Sequence, residues 1–294
     1  MRSILEDRPQ LINAEYAINE GGGLVLDNNG KMQYLGLQAA EKIYHDFSIT
    51  AKGPTGHSSI PKDGNAIDRL ARALVKVASA QEPPRLIPIT RAFFEASAAL
   101  EEPSLADAMR KLARTKGSLP KNALAIVAKK PELIAMLRTT CIPTLIEGGT
   151  RANALPAKAT ANVNCRILPD STPDQARARL ISAIGDAGIE VQNKDEDGIE
   201  GTAAPSSMTG EFMDAVRRVT STSYPGLPII PSLVSGATDS RFLRAKGIQA
   251  YGLSPLASSL EDASRDHGVD ERIRVSSIRP GIEYMYKLVS TIAR

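Results

Sequence analysis

The order of patterns between Asp46 and about residue 199 constrains this chain more than any other feature. DFSITAKGPTGHSS is a β-run opening into a Gly/Pro/Ser loop, after which GNAIDRLARALVKVASAQ repeats apolar residues at helical spacing. From about Ile87 to Leu137, short helical patterns are broken at Pro103, Pro120 and Pro131, which reads as a helical insertion. Strands return in CIPTLIEGG and KATANVNCRILP. TPDQARARLISAIGDAG then starts a helix with Thr172 as its cap and Pro173 at its first position. Strand, helix, two strands, helix and strand in that order predict a ferredoxin-like α+β sandwich.

The flanks follow a different pattern. NAEYAINE, GGGLVLDNNG and KMQYLGLQAAEKIYH read as strands and turns of one side of a sheet. From SMTGEFMDAVRRVTSTSYPG to RPGIEYMYKLVSTIAR, helices alternate with short strands such as GIQAYGLSP, as in a layered α/β domain. The expected organisation is one α/β domain made of residues 1–46 and 200–294, with residues 47–199 inserted into it.

Composition narrows the function. Over 294 residues, 42% hydrophobic and 23% charged content describes a globular chain. The 36 basic and 33 acidic residues are dispersed, with no basic run, so nucleic acid is not an expected partner. No apolar stretch reaches membrane-spanning length, and MRSILEDRPQL mixes both charge signs as no signal peptide does. The two cysteines, Cys141 and Cys165, lack metal-binding spacing and read as buried free thiols. A cytoplasmic protein is expected.

Chemistry-bearing residues are few. Two of the three histidines stand beside glycine in loop-like surroundings, His57 in GHSS and His267 in DHGVDER. Such histidines are commonly just solvated, although Asp266 or Asp270 could orient the His267 ring. Glu20 ends an apolar strand before Gly21-Gly22-Gly23, either as an ordinary strand-end acid or as a carboxylate around which the backbone packs closely. Ser235 to Asp239 lies between the β-like PSLV and a helix, where backbone N–H groups can grip an anion. Ser59 and Lys62 fit the SxxK spacing of serine-lysine hydrolases, as do Ser118 and Lys121.

Taken in order, INEGG, GHSSIPKDGNAI, EGGTRANALPAKATANVNCRILP, SGATDSRFL and DHGVDERI resemble successive blocks of the zinc-dependent aminoacylase and carboxypeptidase family. That family includes carboxypeptidase G-like and desuccinylase-like enzymes, and INEGG has the form of the carboxypeptidase S-like branch. The resemblance runs from about Ala14 to the C-terminus. It implies a zinc-aminopeptidase-like α/β catalytic domain with an inserted ferredoxin-like domain that dimerises and acts as a lid.

It also implies roles. Glu20 and His267 match terminal ligands of a dizinc site. His57 reaches into a partner's site to stabilise the oxyanion, and Asn153 assists there. Arg166 and the Gly236 loop, with Thr238 and Arg241, grip the substrate's free carboxylate. Only nineteen residues precede Glu20, and the family's HxD block, bridging aspartate and Glu-Glu pair are not among them. The resemblance is therefore to a member lacking the front of the catalytic domain.

Three readings follow. The first is a zinc-assisted hydrolase cleaving amide bonds of peptides or N-acyl amino acids with a free carboxylate. The second is a metal-independent esterase or amidase using Ser59 and Lys62, and the third a non-catalytic dimerising remnant. Separately, the resemblance implies a homodimer, formed by edge-to-edge pairing of the inserted domain.

Overall fold

The computed structural model describes residues 1–27, 29–194 and 202–293. In chain order the strands are β1 (Tyr16–Asn19), β2 (Gly23–Leu26), β3 (Met32–Glu41), β4 (Ile43–Lys52), β5 (Gly56–His57) and β6 (Thr140–Gly148). They continue with β7 (Ala154–Leu155), β8 (Lys158–Ile167), β9 (Ile189–Asn193), β10 (Ile229–Val234), β11 (Gln249–Gly252) and β12 (Ser258–Ser259). The longer helices are α1 (Ala66–Ser79), α2 (Pro88–Ser97), α3 (Pro103–Arg114), α4 (Pro173–Ile184), α5 (Glu211–Ser223) and α6 (Val275–Ile292). Contacts divide this α/β chain into two units. Met1–Glu41, Arg85–Met136 and Ala203–Arg294 form the first; Lys42–Pro84 and Leu137–Thr202 form the second.

In the second unit four antiparallel strands lie in the order β6-β8-β4-β9. With α1 after β4 and α4 after β8, this is the ferredoxin-like topology the sequence predicts. Alternation along β4 separates two faces: Ile43, His45, Phe47, Ile49 and Ala51 are buried, while Tyr44, Asp46 and Ser48 are only half-buried. Helix α1 covers the buried face, packing on β4, β6, β8 and α4 through Ala66, Leu70, Ala73 and Val77. The helix starts are chemically specified. Asn65 Oδ1 accepts from the Ile67 N–H at 2.8 Å. Thr172 and Gln175 exchange side-chain to backbone bonds of 3.1 and 3.2 Å, with Pro173 in the first turn and Gly185 closing the helix at φ 57°.

Cys141 and Cys165 are not free thiols. They stand directly opposite on β6 and β8 and form a disulfide. Facing residues on adjacent antiparallel strands have their Cβ atoms within bonding reach, but the 24-residue separation carries no information about strand register.

In the first unit the sheet runs β1-β11-β3-β2-β12, with β10 also paired to β3. The β1/β11, β10/β3 and β12/β2 pairs are parallel, and β2/β3 is antiparallel. Helix α5 packs on α6, with Thr220 and Tyr284 hydroxyls 2.9 Å apart. The Phe212 and Tyr251 rings stack at 4.1 Å. Helix α2 buries Ile89 and Phe94 and packs on β10. The segment 85–136, expected within the inserted domain, therefore groups with the first unit. Contacts place a break at 41/42, five residues before the expected 46/47, at the one residue, Lys42, that separates β3 from β4. The expected return at 199/200 lies among residues 195–201, outside the described set. Among the described residues, no helix is long and apolar enough to cross a membrane.

Candidate functional site

In the second unit the two-stranded sheet pairs Gly56 with Leu155 and His57 with Ala154. The Ser58 N–H donates to the Asn153 carbonyl at 3.0 Å. His57 and Asn153 are thus brought together, both exposed. Ser59 Oγ lies 2.8 Å from His57 Nδ1. Lys62 does not approach Ser59: its Nζ donates to the Thr55 carbonyl at 2.8 Å, and residues 59–62 form a turn rather than the opening of a helix.

Arg166 projects from the face of the sheet opposite α1, and a hydrogen-bond network orients it. Its Nε donates to Asn164 Oδ1 at 3.2 Å, and its guanidinium lies 4.5 Å from the centre of the Tyr44 ring. Asn164 and Asn162 both donate to Asp46 Oδ1, at 2.9 and 3.0 Å, and the Tyr44 hydroxyl donates to Asp46 Oδ2 at 2.7 Å. Burial pushes the Asp46 pKa up, but the Tyr44, Asn164 and Asn162 hydrogen bonds outweigh it and leave the carboxyl below its ordinary value. Tyr44, Asp46, Asn162 and Asn164 were not singled out in the sequence. Their signal was the period-two recurrence of polar residues within β4 and β8.

In the first unit Glu20 follows β1 and is exposed. The glycines after it serve the sheet: Gly22 has φ +60°, and a Cβ there would sit 2.4 Å from the Gly252 carbonyl oxygen and 2.5 Å from that of Gly36. His267, also exposed, is left-handed at φ 62°, and its N–H donates to Glu271 Oε2 at 3.2 Å. The Asp270 carboxylate is engaged by Arg265 at 2.7 Å and Arg272 at 3.6 Å. Buried Asp262, which the sequence did not flag, anchors this loop. It accepts from Arg272 Nε at 2.8 Å, Ser259 Oγ at 2.8 Å and Arg274 Nε at 3.0 Å. These bonds, Arg272's foremost, hold its pKa far below the carboxylate range. Gly21 to Gly23, Ser254, Asp262 and Asp266 line a cleft of about 540 Å³.

A catalytic zinc takes three protein ligands and a water. Among the described residues no group of three or more His, Cys, Asp or Glu side chains could hold a metal ion. Glu20 and His267 do not make up a zinc site between them.

The loop 235–239 engages an internal anion. The Thr238 N–H and hydroxyl each donate to Glu41 Oε2 at 2.8 Å, and the Ser240 N–H donates to Thr238 Oγ1 at 3.1 Å. Gly236 is exposed. Arg241 stacks on Phe242 at 4.6 Å. Behind the loop, Glu41 Oε1 meets Arg244 Nη1 at 3.4 Å, both side chains fully buried.

Residues 40–192 match the M20 peptidase dimerisation domain. The chain belongs to the M20 peptidase family. It is 27% identical to the probable carboxypeptidase S-like 2 of Dictyostelium discoideum, over 87% of this chain and 47% of that protein. It is 24% identical to the N-fatty-acyl-amino acid synthase/hydrolase PM20D1 of Homo sapiens, over 92% and 54% respectively. The chain spans about half the length of these M20 relatives. Among solved structures, an M20 family metallo-carboxypeptidase from Sulfolobus solfataricus aligns with TM-score 0.61 at 16% identity, covering 98% of this chain and 66% of that one. Human carnosine dipeptidase 1 aligns with TM-score 0.57 at 13% identity, covering 100% and 63%. At these identities the structures establish the shared M20 fold.

Proposed function

We propose that this chain serves hydrolysis of amide bonds in small substrates that carry a free carboxylate, peptides or N-acyl amino acids, with Arg166 gripping that carboxylate. The supporting observation is the Arg166 guanidinium, held on the open sheet face by Asn164 and Tyr44 and without an ion-pair partner among the described residues. Its planar fork suits bidentate carboxylate binding. His57 and Asn153 are assigned to oxyanion stabilisation, in a homodimer built on the dimerisation domain. Gly236 and Arg241 are assigned to substrate binding in the first unit, while Thr238 is committed to Glu41 rather than open to a substrate. Glu20 and His267 are assigned as two ligands of a metal site that they do not complete between them.

Carboxylate binding that is equal in ground and transition states affects KM alone. Arg166→Met should raise KM for an N-acyl amino acid about tenfold to a hundredfold, the loss of a charge-assisted pair, with kcat little changed. The corresponding N-acyl amino amide should be insensitive to the substitution. Equal effects on acid and amide would refute the carboxylate role, and a wild type that turns over neither would leave the non-catalytic dimerising module.

One observation favours a second reading, metal-independent ester or amide hydrolysis: Ser59 Oγ lies 2.8 Å from His57 Nδ1, a nucleophile beside a base. The base in this version is His57 rather than Lys62. Chelator-resistant hydrolysis of an activated ester, lost in Ser59→Ala, is the expected result; unchanged hydrolysis in that variant removes the reading.

A further inference from the structure

Arg166 has cationic company on its own face of the sheet. It stands opposite Tyr44 of β4 on one side and Thr140 of β6 on the other. Lys42 immediately precedes β4 and Arg138 lies two residues before β6, at the same end of the sheet as Arg166, and Lys42 reaches the Arg166 face through Thr140. Lys42 is 1% exposed, and its Nζ makes one long hydrogen bond, 3.5 Å to Thr140 Oγ1. An ammonium has three protons to donate, so Lys42 is far from satisfied. Arg138 bonds Gln81 through Nη1 at 3.4 Å, while its buried Nε has no partner. Among the described residues no carboxylate pairs with Lys42, Arg138 or Arg166.

Three cations gathered with no carboxylate paired to any of them among the described residues repel one another, and burying one of them adds a desolvation cost. A lysine at this position that served only to fill space would be better replaced by methionine. Burial, then the Arg166 and Arg138 guanidiniums, lowers the Lys42 pKa to about 7. A bound anion would offset the two Coulombic contributions.

We propose that Lys42, Arg138 and Arg166 together form a subsite for two negative charges, so that the ligand of this sheet face is a dicarboxylate rather than a monocarboxylate. The inference rests on Arg166 as the carboxylate grip and adds Lys42 and Arg138 as recognition of a second carboxylate. Arg166 lies on β8, and Lys42 and Arg138 stand just before the starts of the two strands that flank it, neighbours spaced about 4.8 Å from β8, a spread that matches two separated carboxylates better than one compact phosphate.

Calorimetric titration of the full chain at pH 6.5 with acetate, succinate and inorganic phosphate tests this. Wild type is expected to bind succinate at least about tenfold more tightly than acetate, and Lys42→Met to bring that ratio close to one while leaving acetate affinity in place. Arg138→Gln should lower the ratio in the same direction, a second variant should Lys42→Met fail to fold. Equal wild-type affinities for the two carboxylates, or a ratio unmoved by both substitutions, would overturn the proposal. Phosphate binding more tightly than succinate would overturn the dicarboxylate assignment. Failure of the Arg166 reading looks different: Arg166→Met would then leave both affinities unchanged.

Discussion

Glu41→Ala should lower the unfolding free energy by about 3–5 kcal/mol, because it leaves the Arg244 guanidinium charged and uncompensated in the core. Glu41 and Arg244 are shielded from solvent, and arginine cannot discharge itself by losing its proton. Arg244 would keep its bonds to the Ala250 carbonyl, at 3.0 and 2.8 Å, and lose its only carboxylate partner among the described residues. The same substitution strips the Thr238 N–H and hydroxyl of their acceptor, so the 235–239 loop should loosen as well. Urea unfolding of wild type and variant measures the first effect, and hydrogen exchange at Thr238 and Ser240 the second. A shift below about 1 kcal/mol, the size of an ordinary surface change, would show that the pair does not stabilise the unit.

The reciprocal change, Arg244→Met, should cost less, because a carboxyl has an escape that a guanidinium lacks. Burial already raises the Glu41 pKa against the opposing effects of Thr238, Arg244 and Arg241, and removing Arg244 raises it further. A carboxyl whose folded pKa lies above its unfolded value contributes stability that is present below the unfolded pKa and lost as pH rises through the folded one. The Arg244→Met variant should therefore be nearest to wild type near pH 4 and fall behind as pH rises.

The elements of the second unit were legible because local chemistry specifies them. Thr172-Pro173 with Gln175 and Gly185 fixes both ends of α4, and the spacing of Leu70, Ala73 and Val77 fixes the buried side of α1. Those signals lie within a few residues of the structure they determine. The missed features all depend on strand register. Cys141 finds Cys165, Asn164 finds Asp46, and Glu41 finds a loop 197 residues later. For the same reason His57 and Asn153, nearly a hundred residues apart, could be joined only through the resemblance, whereas β5/β7 pairing and the Ser58 N–H bond to the Asn153 carbonyl bring them together. The SxxK spacing fails in the opposite direction: it presupposes a helix, and Gly53, Pro54, Gly56, Pro61 and Gly64 keep residues 53–64 in turns and short strand.

Replacing Ile142 and Ile146 together by lysine should weaken self-association about a hundredfold or more, roughly 3 kcal/mol, and leave the wild type a dimer and the variant a monomer at micromolar concentration. The ferredoxin-like sheet has two edges, and they differ. Strand β9 is five residues long and shows Glu190, Gln192 and Asn193 to solvent, the polar termination of an edge that is meant to stay free. Strand β6 is nine residues long, and Ile142, Leu145 and Ile146 are 61%, 60% and 64% exposed. An edge with open backbone groups and apolar side chains attracts another strand. A second copy of β6 across a twofold axis offers the same surface to itself and closes the assembly at two. Cys165 holds β6 to β8 through Cys141, next to Ile142, so the edge is braced where it would pair. Lysines at 142 and 146 place like charges near the axis in both copies and disrupt pairing from two positions that are themselves 61% and 64% exposed. Sedimentation velocity distinguishes the two states, and circular dichroism checks that the variant is folded. A wild type that sediments as a monomer would refute edge pairing and would also remove any role for His57 in a partner's site.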